Sequence, residues 1–233
     1  MTGVIIQPSY IPWRGYFDLI QRADVFVFYD DVQYDKHGWR NRNRIKGPNG
    51  AQWLTIPVLA KSAVADSRPI NDVRINWNTT WNRKHWATLS QVYGRSAHFD
   101  RIAATLKPFY ERHDELLCEL TIDLTIALAG ELGITDTRFV RSSNLGIDGT
   151  RTQRLVSILQ SIGADHYVSG PTAKAYLEED RFREAAIALE YMTYDYPEYE
   201  QHHPPFDPHV SIVDLMFAVG PDAPQFIWHR NPT

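Results

Sequence analysis

The first thirty residues combine an apolar run, an amphipathic stretch and a second apolar run. Residues 3–7 (GVIIQ) stop at a proline, which predicts a buried strand that ends in a loop. Residues 14–23 carry apolar side chains at helical spacing, and residues 24–30 (DVFVFYD) are rich in β-forming residues. A strand, a helix and a strand joined by short links form a βαβ unit, whose strands lie parallel. The chain is therefore predicted to have an α/β fold with a mostly parallel sheet of Rossmann-like type.

The middle of the chain interrupts this pattern. Residues 40–46 and 52–58 flank a Gly-Pro-Asn-Gly turn, which predicts an inserted β-hairpin. Residues 80–133 are mostly helical in pattern and form a predicted helical lobe. Within this lobe, residues 115–132 are apolar on most faces, which is typical of a central helix.

Glycines mark the ends of the predicted helices. Gly133 follows the central helix, and Gly163 ends a helical stripe that lies between two predicted strands, TRFV and DHYVSG. Gly220 follows the final helix. No repeat and no Pro- or Ser-rich linker divides the chain, so we expect residues 1–233 to form a single α/β domain.

The composition indicates where the protein acts and which ligand classes are not expected, but it does not indicate a reaction. The net charge of −4 gives no reason to expect nucleic-acid binding, and the single cysteine, Cys118, excludes an intrachain disulfide and a zinc–cysteine site. The N-terminus lacks the pattern of a secretory signal. No apolar run approaches the roughly 20 residues that span a bilayer. We therefore expect a cytoplasmic protein without a membrane span.

Basic residues recur at every second position after Trp39. On a strand, such residues share one face at intervals of roughly 7 Å, and they repel one another unless an anion meets them. An anion-binding strip for phosphate or carboxylate is one interpretation, and a charged edge strand that blocks aggregation is the other. The residues of the strip, with the asparagines between them, are Arg40, Asn41, Arg42, Asn43, Arg44 and Lys46.

Acidic residues follow the second predicted strand. In parallel sheets ligands gather beyond the carboxyl ends of the strands, where Gln7 and the pair Asp30 and Asp31 are predicted to lie. Neighbouring residues on a strand point to opposite sides, so we expect one aspartate to face the site as a base or metal ligand and the other to cap or to pair with an arginine. His37 is the further candidate base, and Gln7 is a candidate to support an oxyanion.

Two loops are candidates for phosphate binding. The first lies between the first strand and helix, and its candidate residues are Tyr10, Trp13, Gly15 and Tyr16. It is similar in shape to the phosphate loop of nucleotidyltransferases but lacks the two histidines of that loop. The second contains Ser169 and Thr172 and could form a small anion site or simply cap a helix.

Metal binding is not expected. The histidines between residues 199 and 209 are separated by prolines and lack the helical spacing of strong zinc motifs. Cys118 lies in an apolar helical stretch and is expected to be buried and inert.

Several segments together resemble the WbqC-like family, from about Ile5 to Gly220. They are IIQPSYIPWRGYFDLI, FYDDVQYDKHGWRNRNRI, WLTIPV, HYVSGPTAKAYL and YEQHHPPFDPHVSIVDLMFAVG. The resemblance implies a place in surface-polysaccharide or natural-product biosynthesis, because the family is associated with such gene clusters. Its members are generally taken to be enzymes, and it brings no agreed catalytic residue.

The expected function is a transferase that joins a pre-activated acyl or aminoacyl group to an amine on a sugar nucleotide or related metabolite. The arginine strip would hold phosphates of a nucleotide-linked or phosphopantetheine-linked substrate, so an acyl carrier protein is an expected partner. Two alternatives stay open: a divergent nucleotidyltransferase or ATP-dependent ligase, and a non-catalytic protein that binds a phosphorylated intermediate. No cofactor is specified by the sequence.

Overall fold

The computed structural model describes residues 1–36, 38–59 and 68–228. Its central feature is a five-stranded sheet in the order β5-β2-β1-β6-β7, in which every neighbouring pair is parallel. The sheet strands are β1 (Thr2–Ile6), β2 (Val25–Phe28), β5 (Arg138–Arg141), β6 (His166–Ser169) and β7 (Ala188–Tyr191). The predicted α/β fold with a mostly parallel, Rossmann-like sheet is confirmed.

A separate antiparallel hairpin lies between β2 and the helical part of the chain. It consists of β3 (Arg42–Gly47) and β4 (Gly50–Thr55). The first strand starts two residues later than the sequence predicts, because Arg40 and Asn41 belong to the bend that precedes it. Residues 73–76 make isolated bridges and no strand.

The described residues contain seven α-helices. They are α1 (Arg14–Arg22), α2 (Trp81–Tyr93), α3 (Phe99–Glu111), α4 (Leu117–Glu131), α5 (Arg151–Ile162), α6 (Glu179–Glu184) and α7 (Ile212–Val219). Short 3-10 helices cover Ile70–Asp72, Ser142–Asn144, Pro171–Ala175 and Gly220–Phe226. No helix in these described stretches is both long enough and apolar enough to cross a membrane.

The central strands β1 and β2 are buried on both faces, which explains why they read as continuous apolar runs. Phe26 and Phe28 point into a core shared with α1, the hairpin and helices α2–α4, while Val25 and Val27 point into a second core formed with α5. The predicted helical lobe therefore packs into the same core as one face of the sheet. That residues 1–233 form a single domain stays a prediction.

The strand order reverses beside β1. From β1 the chain adds β2 and then β5 on one side, and it returns to add β6 and β7 on the other. In doubly wound sheets of this kind, ligands bind beyond the carboxyl ends of the strands at the point of reversal. This rule predicts a ligand site where β1 and β6 end.

Candidate functional site

A cavity of about 1390 Å³ opens at this point of reversal. Gln7, which follows β1, and Ser169 and Gly170, at the end of β6, contribute to its wall. Ile5 and Leu155 contribute apolar surface from the side of α5. The cavity exceeds the few hundred to about 1000 Å³ typical of a small-molecule site, so it has room for more than one small molecule.

The loop between β1 and α1 forms one wall and is held from outside by the hairpin. Nδ2 of Asn43 donates to the main-chain oxygens of Tyr10 (3.3 Å) and Ile11 (2.8 Å). Ile11 has a φ of 36°, a left-handed conformation that is strained for a β-branched residue. The buried amide of Asn43 therefore stabilises a loop conformation that the chain would otherwise avoid.

Arg40 connects the bend before the hairpin to the same loop. Its Nη1 donates to the main-chain oxygens of Gln7 (3.0 Å) and Pro8 (3.4 Å), and its Nε lies 3.6 Å from Oδ1 of Asp35. The residue is 9% exposed and lines the cavity. Burial lowers the pKa of Arg40 from its usual value, while the nearby Asp35 acts in the opposite direction. An arginine starts so far above neutrality that this buried group stays a cation.

The other basic residues of the strip differ in whether they line the cavity. Arg42 and Arg44 stack on Trp53 at 4.5 and 5.8 Å from the ring centroid, and Nη2 of Arg44 donates to the main-chain oxygen of His209 at 2.7 Å. Arg44 lines the cavity together with Asn43. Arg42 and Lys46 are not part of the described cavity wall, and Lys46 is buried.

Asn41 has a local role. Its Nδ2 donates to the main-chain oxygen of Ile56, and the main-chain N–H of Ile56 donates back to the oxygen of Asn41, both over 2.8 Å. This exchange extends the pairing of the hairpin beyond its first strand residue.

Asp30 and Asp31 lie outside the described cavity wall. Asp30 is fully buried; it pairs with Nε of Arg141 at 2.7 Å and accepts hydrogen bonds from Ser142 and Ser143. Asp31 pairs with Arg154 and accepts a hydrogen bond from the hydroxyl of Ser142 at 2.6 Å.

The two aspartates do not point to opposite sides, because the Ser142 hydroxyl reaches both carboxylates. The expected opposite orientation is therefore wrong, since β2 ends at Phe28 and strand alternation no longer applies at Asp30. Their expected role as a base stays a prediction. His37, the other candidate base, lies outside the described residues.

The remaining predicted residues fall into two groups. The cavity wall includes Gln7, Trp13, Tyr16, Ser169 and Thr172. Tyr10 is fully buried and bonds His85 and Tyr110 through its hydroxyl, and Gly15 lies beneath the indole ring of Trp13. These two residues shape the loop and are not part of the described wall.

Comparison with known proteins identifies relatives. The model of the WbqC-like protein family matches residues 7–226. The chain belongs to the WbqC-like family. It is also 43% identical over 226 residues to the uncharacterised protein Rv1507c of Mycobacterium tuberculosis, an alignment that covers 96% of each chain. No solved structure matches the chain significantly.

Apart from Trp13 and Tyr16, sequence reasoning missed the aromatic residues of this WbqC-like cavity wall and several of its polar residues. Aromatic residues crowd there: Trp13 lies 4.7 Å from Tyr194 and 5.8 Å from Tyr196 between ring centroids, and Trp39 and Tyr176 are exposed at the rim. Polar residues of the same wall that were not predicted are Ser9, Arg14, Gln33, Arg151, Thr152, Asp195, Glu198 and His209. A cation at the start of an apolar helix was a usable signal for Arg14, whereas residues 192–209 have no periodic pattern that places them near β1.

The described residues include no group of three or more His, Cys, Asp or Glu side chains arranged to hold a metal ion. Cys118 is buried on α4, away from the described cavity wall, and burial raises its pKa to about 11. Its thiol is thus in the protonated, weakly nucleophilic form at neutral pH. The described cavity wall carries arginines, aromatic rings, and the side chains of Glu198 and His209.

Proposed function

We propose that this WbqC-like chain is a transferase that binds a phosphate-containing substrate in the cavity and joins a pre-activated acyl or aminoacyl group to an amine. The phosphate belongs to a nucleotide-linked or a phosphopantetheine-linked substrate. The single observation that carries this proposal is the pair of arginines, Arg40 and Arg44, on one cavity wall at the point where the strand order reverses.

The arginines have unused hydrogen-bonding capacity. The Nε atoms of Arg40 and Arg44 are buried and have no hydrogen-bond partner among the described residues. Of the two, only Arg40 has a carboxylate of the described residues within ion-pair distance, that of Asp35, and this carboxylate is more than half exposed. Buried polar groups without partners are costly, and a phosphate supplies both the acceptor oxygens and the negative charge.

The aromatic wall suits the rest of such a substrate. Trp13, Tyr194, Tyr196 and Trp39 present flat surfaces at the outer part of the cavity. Nucleobases and sugar rings stack on such surfaces. A nucleotide-linked substrate would place its ring here and its phosphates toward Arg40 and Arg44.

The proposed reaction needs a base and a site for an oxyanion. The amine nitrogen attacks the acyl carbon, the bond from that carbon to its leaving group breaks, and the amine loses a proton to a base. His209 and Glu198 lie on the cavity wall and are candidate bases in addition to those expected from the sequence. Gln7 is placed at the end of β1 in the same wall, where it is the candidate to support the oxyanion.

A non-catalytic binding protein is the second candidate. It is favoured by the ion pairs of Asp30 and Asp31, which occupy the two carboxylates that sequence analysis assigns to catalysis. Such a protein would bind the same phosphorylated ligand without turnover.

The test is thermal unfolding against nucleotides, sugar nucleotides, coenzyme A and phosphopantetheine, followed by a turnover assay with the compounds that bind. A ligand at a hundredfold excess over Kd raises Tm by roughly 5–10 °C for a chain of this size. We expect Arg44→Gln to lose this response and Arg83→Gln, the same charge change on an exposed part of α2, to keep it. Stabilisation without turnover would favour the binding protein, and stabilisation by a nucleoside triphosphate with magnesium alone would favour a nucleotidyltransferase.

A further inference from the structure

Arg14 is a buried cation on the cavity wall. It is the first residue of α1, is 5% exposed and lies among three aromatic rings. The carbon at the centre of its guanidinium group lies 5.0, 5.7 and 5.9 Å from the ring centroids of Tyr196, Tyr199 and Phe206. The rings hold the group in place through cation–π contact but supply no full negative charge.

The hydrogen bonds of Arg14 use one of its three nitrogens. Nη1 donates to the main-chain oxygens of Pro197 (2.7 Å) and Phe226 (3.2 Å). Within residues 1–36, 38–59 and 68–228, Nε and Nη2 have no hydrogen-bond partner and no carboxylate forms an ion pair with the group. Burial lowers the pKa of Arg14, and the phenols of Tyr199 and Tyr196 act in the opposite direction. A buried charge without a counter-ion is unfavourable, so the site is suited to an anion from the ligand.

The unused edge of the guanidinium favours a carboxylate. Nε and Nη2 present two parallel N–H groups, which match the two oxygens of a carboxylate. The phosphate proposed above is assigned to Arg40 and Arg44, which are different residues of the wall.

Glu198 brings a negative charge to the cavity wall, one residue after the main-chain oxygen that Arg14 binds. The oxygen of Pro197 accepts the hydrogen bond from Arg14, so the peptide bond that joins Pro197 to Glu198 lies against the guanidinium. Glu198 is exposed, lines the cavity, and makes no ion pair or hydrogen bond with any residue that the structure describes. A carboxylate here repels phosphate and attracts an ammonium group.

We propose that this end of the cavity binds a substrate of the amino acid class, with its carboxylate on the Nε–Nη2 edge of Arg14 and its ammonium group toward Glu198. The inference rests on the proposed function in taking this amine as one of the two substrates of the transferase.

The test is thermal unfolding of the full chain with each common α-amino acid, and with the matching amine-free carboxylates acetate and propionate. We expect at least one amino acid to raise Tm of the wild type by several degrees. Arg14→Gln removes this response, Glu198→Gln weakens the binding of the amino acid at least tenfold while leaving that of the carboxylate, and Arg44→Gln keeps the response. Loss of the response in Arg44→Gln would show a single anion site and overturn the proposal, as would an unchanged response in Arg14→Gln or Glu198→Gln.

A second measurement on the wild type covers the case in which Arg14→Gln does not fold. Calorimetric titration with the amino acid is repeated in the presence of saturating inorganic phosphate or nucleotide. If the amino acid and the phosphate bind at separate positions, the Kd of the amino acid is unchanged by phosphate or nucleotide. Competition between them would overturn the proposal, and so would a failure of every amino acid to bind. If amino acids bind but nucleotides do not, the phosphate assignment of the proposed function fails while the site at Arg14 stands.

Discussion

Nη1 of Arg40 donates to the main-chain oxygen of Gln7 over 3.0 Å, so a cation of the cavity wall also fixes the backbone at the end of β1. The same oxygen accepts a hydrogen bond from the hydroxyl of Tyr16 at 3.1 Å. The loop between β1 and α1 is therefore held from the side of the hairpin and from α1. A ligand that contacts Arg40 would bind a group that the fold has already oriented.

Replacement of Arg40 should accordingly affect both stability and binding. We expect Arg40→Gln to lower the free energy of unfolding by about 2 kcal/mol, because hydrogen bonds from a charged donor are lost. It should also abolish the Tm response to phosphate-containing ligands. Urea denaturation measures the first effect and thermal unfolding with ligand the second. Arg83→Gln is the control for charge alone, and a folded Arg40→Gln protein that binds as wild type would refute the assignment.

The acidic pair after β2 is expected to contribute to stability. Asp30 is fully buried and paired with Arg141, whereas Asp31 is partly exposed and paired with Arg154. Removing one partner of a buried ion pair leaves the other charge uncompensated. We therefore expect Asp30→Asn to cost about 3 kcal/mol in unfolding free energy and Asp31→Asn about 1 kcal/mol.

Ligand binding separates this effect from a role in the site. Because neither aspartate belongs to the described cavity wall, each folded variant should keep the Tm response to ligand. Turnover that falls a hundredfold or more at unchanged ligand affinity would instead support the catalytic role expected from the sequence.

The parallel sheet follows from local sequence signals. Short links between an apolar run, a helix and another apolar run dictate parallel pairing of β1 and β2, which the structure shows. Gly163 has a φ of 77° at the end of α5, a conformation that only glycine adopts easily. The glycine in the sequence therefore marked the end of this helix. Both signals arise within a few residues of the element that they define.

The cavity wall depends on contacts between distant residues. Asp214 on α7 accepts hydrogen bonds from Tyr199 (2.8 Å) and Gln201 (2.9 Å), and these bonds help hold the segment that carries Tyr194 and Glu198. No local pattern encodes that arrangement. Asp30 and its partner Arg141 are 111 residues apart in the sequence. The sequence therefore indicated a site at these acidic residues but could not show that Asp30 is paired with an arginine.

Gly15 should control the position of Trp13. A Cβ atom at residue 15 would overlap the indole ring of Trp13, which lines the cavity. We expect Gly15→Ala to displace this ring and to weaken ligand binding at least tenfold, as measured by calorimetric titration. The matched control is Gly130→Ala in α4, where an added Cβ meets nothing within 4 Å and should stabilise the helix by about 0.5–1 kcal/mol. Unchanged binding by Gly15→Ala would show that the indole does not contact the ligand.

His85 should make stability depend on pH. Its side chain is 7% exposed, and its Nδ1 lies 2.9 Å from the hydroxyl of Tyr10. Burial lowers the pKa of His85 from 6.5 to about 4, and a hydrogen bond to the backbone of Thr55 has a smaller effect in the opposite direction. Between these two pKa values the unfolded chain binds more protons than the folded one, so stability rises with pH across this window. The stabilisation is complete above about pH 6.5 and is lost as pH falls toward 4.

The expected loss is about 2 kcal/mol of unfolding free energy between about pH 7 and pH 5. Urea denaturation at both pH values, for wild type and His85→Gln, isolates this contribution, because the carboxylates that titrate in the same range are common to both proteins. Asp214, whose pKa is raised by burial, contributes stability that is lost as pH rises and therefore opposes the effect of His85 in each protein equally. The wild type should thus lose more stability on acidification than His85→Gln. Equal losses would mean that His85 titrates normally in the folded chain and that the cluster with Tyr10 is open to water.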